Sequence, residues 1–314
     1  MERLRFFPIP FFAVVMGLSG LAIAWQKAHH LFNAPKIIYE GLLFLSLATF
    51  VLITLLYALK AIRYPEEVRT DFFHPIRINF FAAFTISLLL LSIALYSYYP
   101  IVAIPLWYLG ALGHLLMTLY VVSFWIRHNF EIAHTNPAWF IPIVGNVLVP
   151  VVGVDLLPRE VSLFYFSIGI FFWIILGTIV LYRIIFHHQL PQKFIPTLFI
   201  FIAPPAVGFI SYLRITTAFD LSAMMLLSLA LFFTLLLLFM GKSFMGLKFF
   251  ISWWAFTFPM DAVSIAFMVA YGITESPFYA VFGLVFLAVA TLIILYVVWQ
   301  TLIHIKKHEI CIEE

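Results

Sequence analysis

Long apolar runs alternate along the chain with short polar interruptions. Ten runs, at approximately 9–26, 38–61, 79–98, 101–126, 138–154, 161–186, 194–213, 220–240, 249–271 and 278–303, have about the length a helix needs to cross a hydrocarbon core. The even runs are bland: Leu226 to Leu238 of the eighth and Phe282 to Val298 of the tenth are almost wholly Leu, Ala, Val and Phe. The odd runs carry small residues and prolines. Gly17-Leu18-Ser19-Gly20 lies in the first, Pro142, Gly145, Asn146 and Pro150 in the fifth, Ala203-Pro204-Pro205-Ala206 with Gly208 in the seventh, and Pro259 in the ninth. Small residues let helix backbones approach closely, and proline frees a carbonyl that a neighbouring helix must satisfy. The pattern predicts an all-α polytopic membrane protein of ten transmembrane helices in five hairpins, with the odd helices inside and the even helices outside as an outer ring. The third run, Phe80 to Leu95, is mostly leucine and alanine and departs from this pattern.

Run ends have their own chemistry. Ser276-Pro277 places a capping residue and a first-turn proline before the tenth run, and Asp220 is placed to cap the eighth. Trp25, Tyr98, Trp125, Trp139 and Trp299 suit interfacial belts.

Composition agrees with a membrane protein: 65% of the 314 residues are hydrophobic and 10% charged, where a soluble domain carries about a quarter charged. One transmembrane domain over 1–314 is expected. The single cysteine, Cys311, excludes an intrachain disulfide and any paired-cysteine metal motif. The basic residues set the orientation. On the side of the N-terminus lie Arg3, Arg5, Lys60, Arg63, Arg69, Arg77, Arg127, Arg183, Lys193, Lys242, Lys248, Lys306 and Lys307; Lys27, Lys36, Arg159 and Arg214 lie opposite, which accounts for all 17. This bias predicts a multi-pass protein of the cell (inner or plasma) membrane with both termini in the cytoplasm.

The stretch Ser252 to Ile265 concentrates the candidate chemistry. Pro259 breaks the ladder mid-span, Phe256 and Phe258 precede it, and Asp261 puts a carboxyl at membrane depth. A ring beside a mid-helix proline can constrict a narrow path, although with 37 Phe in the chain plain packing is the ordinary alternative. Asp261, three positions on and about 60° around the helix from Phe258, serves either a proton or ion pathway or a bond to a neighbouring helix. His114 is expected to be structural, and Asn146 either lines a path or satisfies freed carbonyls. The chain has no nucleophile–histidine–acid set, phosphate loop or metal motif, so neither an enzyme, a cofactor nor a nucleic-acid partner is expected.

Four stretches carry a family likeness: His74-Pro75-Ile76-Arg77, Asn136 to Asn146, Ala203 to Phe209, and Ser252 to Met260. In these the sequence resembles the TehA and plant slow-anion-channel family, also called the tellurite-resistance/dicarboxylate transporter family. The resemblance implies a homotrimer whose subunits each hold a pore through the five odd helices. It also implies proline-shaped helices and a phenylalanine plug in the ninth, which falls on Phe258. Bacterial members tend to have proline within the first and third inner helices; Val15 and Phe84 stand there instead. The expected pore-lining or pore-shaping set is Gly17, Gly20, Gly145, Asn146, Pro150, Pro204, Pro205, Gly208, Pro259 and Asp261. The expected activity is passage of small inorganic or organic anions by a channel or channel-like exporter. The alternative is a proton-coupled carrier of a malate-like dicarboxylate, sulfite or a related anion, and a receptor or scaffold without transport is a third reading.

Overall fold

The structure is a computed structural model that describes residues 2–312, leaving Met1, Glu313 and Glu314 of the expected 1–314 domain outside the description. Among the described residues there is no strand, and ten helices are long and apolar enough to cross a membrane. They are Ile9–Phe32, Lys36–Arg63, Arg77–Leu95, Pro100–Arg127, Pro137–Leu156, Arg159–Phe186, Gln192–Thr216, Leu221–Phe239, Ile251–Thr274 and Pro277–Lys306, here the first to tenth spans. A short helix, Pro65–Phe72, lies between the second and third. The first span passes its expected end at 26 because Lys27, His29 and His30 lower the hydropathy without breaking the helix. Asn33, with φ of 55°, ends it in a left-handed cap. Asp220 caps the eighth span by accepting a hydrogen bond from the Ala223 N–H at 3.1 Å, whereas Ser276 makes no side-chain cap at the tenth.

Burial sorts the spans by parity. In the odd spans 72–83% of the apolar window is buried within the protein; in the even spans the share is 17–33%. The first span packs on the third and ninth, the ninth on the seventh, the seventh on the fifth, and the fifth on the third. The odd spans therefore close into a ring, and each even span lies against the odd span before it.

Backbone geometry separates the two sets as well. Each odd span begins as 3₁₀-helix, at Ile9–Phe11, Arg77–Phe81, Pro137–Phe140, Gln192–Ile202 and Ile251–Phe256, and later becomes α-helix. The even spans are α-helical throughout. Proline accounts for part of this, since Pro204 and Pro205 follow the 3₁₀ stretch of the seventh span and Pro259 that of the ninth. Val15 and Phe84 stand where no proline is present, yet the first and third spans make the same change, at Phe12 and Ala82.

In the fifth span, neighbouring spans satisfy the carbonyls around the breaks. Thr118 donates its hydroxyl to Pro142 O at 2.7 Å, Trp107 its Nε1–H to Val149 O at 3.0 Å, and Ser211 its hydroxyl to Val147 O. Each is the compensation that broken helices require in lipid.

Candidate functional site

Within the ring, on the side where the odd spans begin, lies a cavity of about 60 Å³. Every odd span contributes to its wall: Pro10, Ala13 and Met16; Phe80, Ala83 and Ile86; Phe140, Ile141, Val144, Gly145 and Leu148; Thr197, Ile200, Ala203 and Val207; and Ile251, Ser252, Trp254, Ala255, Phe258 and Pro259. The wall is apolar except for the hydroxyls of Thr197 and Ser252, and no charged side chain lines it. Such a void has the volume of a few water molecules but offers them almost no hydrogen-bond partner. Met16, Ile86, Leu148, Val207 and Phe258 are among the wall residues farthest along their spans, and Phe258 is only 8% exposed.

Phe258 is placed by two local features. The ninth span passes from 3₁₀ to α at Thr257, beside Pro259, and the Thr257 hydroxyl donates to Trp254 O at 2.7 Å across that junction. Trp254 is anchored in turn by its Nε1–H, which donates to Thr301 Oγ1 at 3.1 Å on the tenth span. Opposite, the first span comes close because it presents glycine. A Cβ on Gly17 would collide with the Thr257 hydroxyl, and one on Gly20 would stand 3.1 Å from Phe258 Cδ2 and 2.7 Å from Asp261 Oδ2. Gly20 is thus a shared seat for the phenyl ring and the carboxyl.

Asp261 is fully buried, and neither of its oxygens has a hydrogen-bond partner among the described residues. A carboxylate placed so, without a counter-ion, is among the most expensive groups in a protein interior. It does not border the cavity, being turned toward the first span.

The other expected residues distribute as follows. Gly145, Phe258 and Pro259 border the cavity. Gly17 and Gly20 form the crossing with the ninth span. Asn146 donates to Thr118 Oγ1 at 2.8 Å and to Ile143 O at 2.9 Å, behind the wall. Pro150 begins the α-helical end of the fifth span, and Pro204 and Pro205 open the α-helical half of the seventh. Gly208 faces outward, where a Cβ would lie 3.2 Å from Ile170 and 3.6 Å from Leu226. His114 is fully buried, with Nδ1 2.8 Å from Thr85 Oγ1, and its ring fills the space a Cβ on Gly145 would need. Met16, Ile86, Leu148 and Val207 carry no chemical signal of their own; only the ring closure brings them together.

At the end of the ring where the odd spans begin, the His74-Pro75-Ile76-Arg77 stretch has a structural role. His74 Nδ1 accepts from the Ile76 and Arg77 N–H groups at 3.1 and 3.3 Å, ordering the entry to the third span. Burial, and then the Arg77 charge, hold the His74 imidazole below its usual pKa. Asp71 bridges Arg77 and the buried Lys60, each at 2.8 Å, and Lys60 also donates to Phe7 O at 2.9 Å. Among the described residues no group of His, Cys, Asp and Glu could hold a metal ion.

The likeness carried by these motifs extends along nearly the whole chain. Over 309 residues the chain is 31% identical to the S-type anion channel SLAH3 of Arabidopsis thaliana, covering 95% of this chain and 48% of that protein. Over 270 residues it is 31% identical to the S-type anion channel SLAH2 of the same plant, covering 83% and 52%. Its identity to the tellurite resistance protein TehA homolog of Haemophilus influenzae is 32% over 213 residues, covering 67% and 65%. The chain spans about half the length of the two plant relatives. The SLAC1 family profile, described as voltage-dependent anion channel, matches residues 6–302, and on that extent the chain belongs to the SLAC1 family.

Proposed function

We propose that the chain passes small inorganic or organic anions through the ring of odd spans, as a passive channel or channel-like exporter, with the Phe258 ring as its plug. The observation that carries this reading is the position of Phe258. It stands at the far end of a cavity to which all five odd spans contribute, at the 3₁₀-to-α junction beside Pro259. An apolar constriction of this kind blocks ions by excluding water. Charge favours an anion. The odd spans run parallel, so the positive ends of their helix dipoles share one face, and 13 of the 17 Lys and Arg belong to that side. No carboxylate borders the cavity.

In this reading both termini lie in the cytoplasm and the chain sits in the cell (inner or plasma) membrane, with lipid against the even spans. Three copies assemble, each with its own path, as the family resemblance implies. No cofactor takes part. Replacing Phe258 by Ala raises anion current in oocytes or planar bilayers; a variant whose current equals wild type at every voltage removes the plug. A proton-coupled carrier of a malate-like dicarboxylate, sulfite or a related anion is the second reading, favoured by the unpartnered carboxyl of Asp261 beside the plug. Labelled malate uptake into proteoliposomes decides between the two: dependence on a pH gradient, lost in Asp261→Asn, selects the carrier.

A further inference from the structure

A second hollow lies outside the ring, in the seam between the second and fourth spans. It is an open groove of about 740 Å³, against about 60 Å³ for the central cavity, and falls within the roughly 300–1,000 Å³ of a site for a sizeable organic ligand. Ala58 stands on one bank and Leu116 and Tyr120 on the other, with Phe81 and Phe84 of the third span as the bed. The third span is otherwise the most buried of the ten, yet here both rings are only half-buried. Where the groove lies along the spans decides what could fill it. Its lining falls within 54–58 of the second span, 81–85 of the third and 113–120 of the fourth, all in the half nearest the start of the odd spans. From Gly113 to Tyr120 the helix rises about 10 Å, within the roughly 15 Å of one leaflet's hydrocarbon. The groove is one leaflet deep.

Its outer end is cationic. Phe72, the last residue of the short helix Pro65–Phe72, closes that end, its ring centroid 4.9 Å from those of Phe81 and Tyr120. Arg69 is exposed and shares a helix face with Phe72, one turn earlier. Asp71, next to Phe72 in the chain, is held between Lys60 and Arg77 at 2.8 Å each, so those three groups keep one positive unit. Lys60 Nζ stands 5.5 Å from the ring centroid of Tyr57, a residue of the groove wall, and the Arg77 side chain is 38% exposed. Of the neighbouring acids, Glu67 is paired with Arg5, and Glu66 stands at the far end of the short helix. An apolar trough one leaflet deep with cations at its outer end matches an amphiphile of opposite charge. A helix of a second copy would cross both leaflets, which the groove does not.

We propose that this groove binds an anionic phospholipid of the leaflet on the side where the odd spans begin. One acyl chain lies in the trough against Phe81 and Phe84, and the phosphate meets Arg69 and Arg77 beyond Phe72. The lipid thereby covers the part of the third span that the second and fourth spans leave open. The site stands apart from the conduction reading and does not depend on it.

Native mass spectrometry of the delipidated full chain in detergent follows the first lipid bound when phosphatidylglycerol or phosphatidylcholine of the same acyl chains is added. Wild type binds phosphatidylglycerol about tenfold more tightly than phosphatidylcholine. Ala58→Trp and Leu116→Trp fill the trough from opposite banks and weaken the first phosphatidylglycerol by about tenfold. Arg69→Gln weakens it by about fivefold and leaves phosphatidylcholine within about twofold. Two controls stay within about twofold of wild type for both lipids: Leu52→Trp, exposed on the opposite face of the second span, and Lys242→Gln, an exposed cation away from the groove. Equal affinity of wild type for the two lipids overturns the proposal. So does unchanged phosphatidylglycerol affinity in whichever trough variant elutes as folded protein, or an equal loss in Leu52→Trp. The same spectra report the oligomer: a trough variant that sheds subunits while keeping its phosphatidylglycerol affinity assigns the groove to a second copy and overturns the lipid.

Discussion

The odd and even spans are drawn from nearly the same apolar alphabet, yet their fates in the fold are opposite. The odd set is buried, begins as 3₁₀-helix and meets its neighbours through glycine; the even set is continuous α-helix and mostly faces outward. Hydrophobicity therefore puts a helix in the membrane without deciding its neighbours. Those are chosen by what the helix lacks: side-chain volume at Gly17 and Gly20, and backbone donors at Pro142, Pro150, Pro204, Pro205 and Pro259. The even glycines sharpen the rule, because parity is not itself the cause. Gly41 and Gly177 have open space where a Cβ would stand, whereas a Cβ on Gly110, Gly169 or Gly283 would press against Leu89, Val147 or Met268 of an odd span.

The strongest way to break this comparison is to give both sets the same substitution. Gly20→Leu drives a side chain into Asp261 and Phe258 and costs upwards of about 3 kcal/mol, beyond ordinary overpacking, whereas Gly177→Leu leaves unfolding in detergent nearly unchanged. Equal losses at the two sites would show that the first–ninth crossing is looser than its glycines indicate. Next in size is Thr118→Val, which strips the donor from Pro142 O and a partner from Asn146, lowering stability by about 1–3 kcal/mol. Thr178→Val, whose hydroxyl serves only its own exposed helix, is the matched outer control and stays within about 0.5 kcal/mol. A smaller effect of opposite sign comes from Gly41→Ala, where open space and relief of backbone entropy raise stability by about 0.5–1 kcal/mol. A decrease there would mean that another molecule covers that face.

The smallest effect is a dependence on pH at the third span's entry. His74 has its pKa lowered, chiefly by burial, so the folded state binds its proton less readily than the unfolded chain does. The stability this provides is present above the unfolded value near 6.5 and is lost as pH falls below it. Thermal unfolding between pH 7.5 and 5.5 shows a decline that His74→Asn flattens; parallel slopes for the two proteins would remove His74 as the cause.

The ten spans were legible because hydropathy over about 20 residues is a property of composition, and proline and glycine marked four of the five inner helices. The third span was not marked, although 83% of its window is buried. The reason is that its neighbours carry the small residues: a Cβ on Gly110 would stand 2.9 Å from Leu89, and one on Gly145 would stand 2.8 Å from Ile86. Close approach needs one glycine per contact, and nothing in Phe80 to Leu95 can tell that the partner supplies it. Phe258 was legible through Pro259, a break that points at its neighbour. The remainder of the cavity wall was not, since Met16, Ile86, Leu148 and Val207 are ordinary apolar residues until five separate segments converge. The 3₁₀ stretch of the third span left no trace either, because no proline within Arg77 to Leu95 announces it, whereas Pro8 and Pro10 mark that of the first.

Those 3₁₀ stretches change the economy of length in the wall. A 3₁₀-helix rises about 2.0 Å per residue against about 1.5 Å for an α-helix, so the stretch Gln192–Ile202 covers roughly 22 Å where the α form would cover roughly 16 Å. The odd spans are drawn thinner and longer where they are 3₁₀, over three residues in the first span and eleven in the seventh, like staves narrowed at one end of a cask. Five narrowed staves can meet edge to edge and still leave the cavity of about 60 Å³ between them, with no side chain removed from the wall to make it. Rewinding any one stave toward α geometry would shorten it by about 0.5 Å per residue and turn every side chain beyond that point about the helix axis.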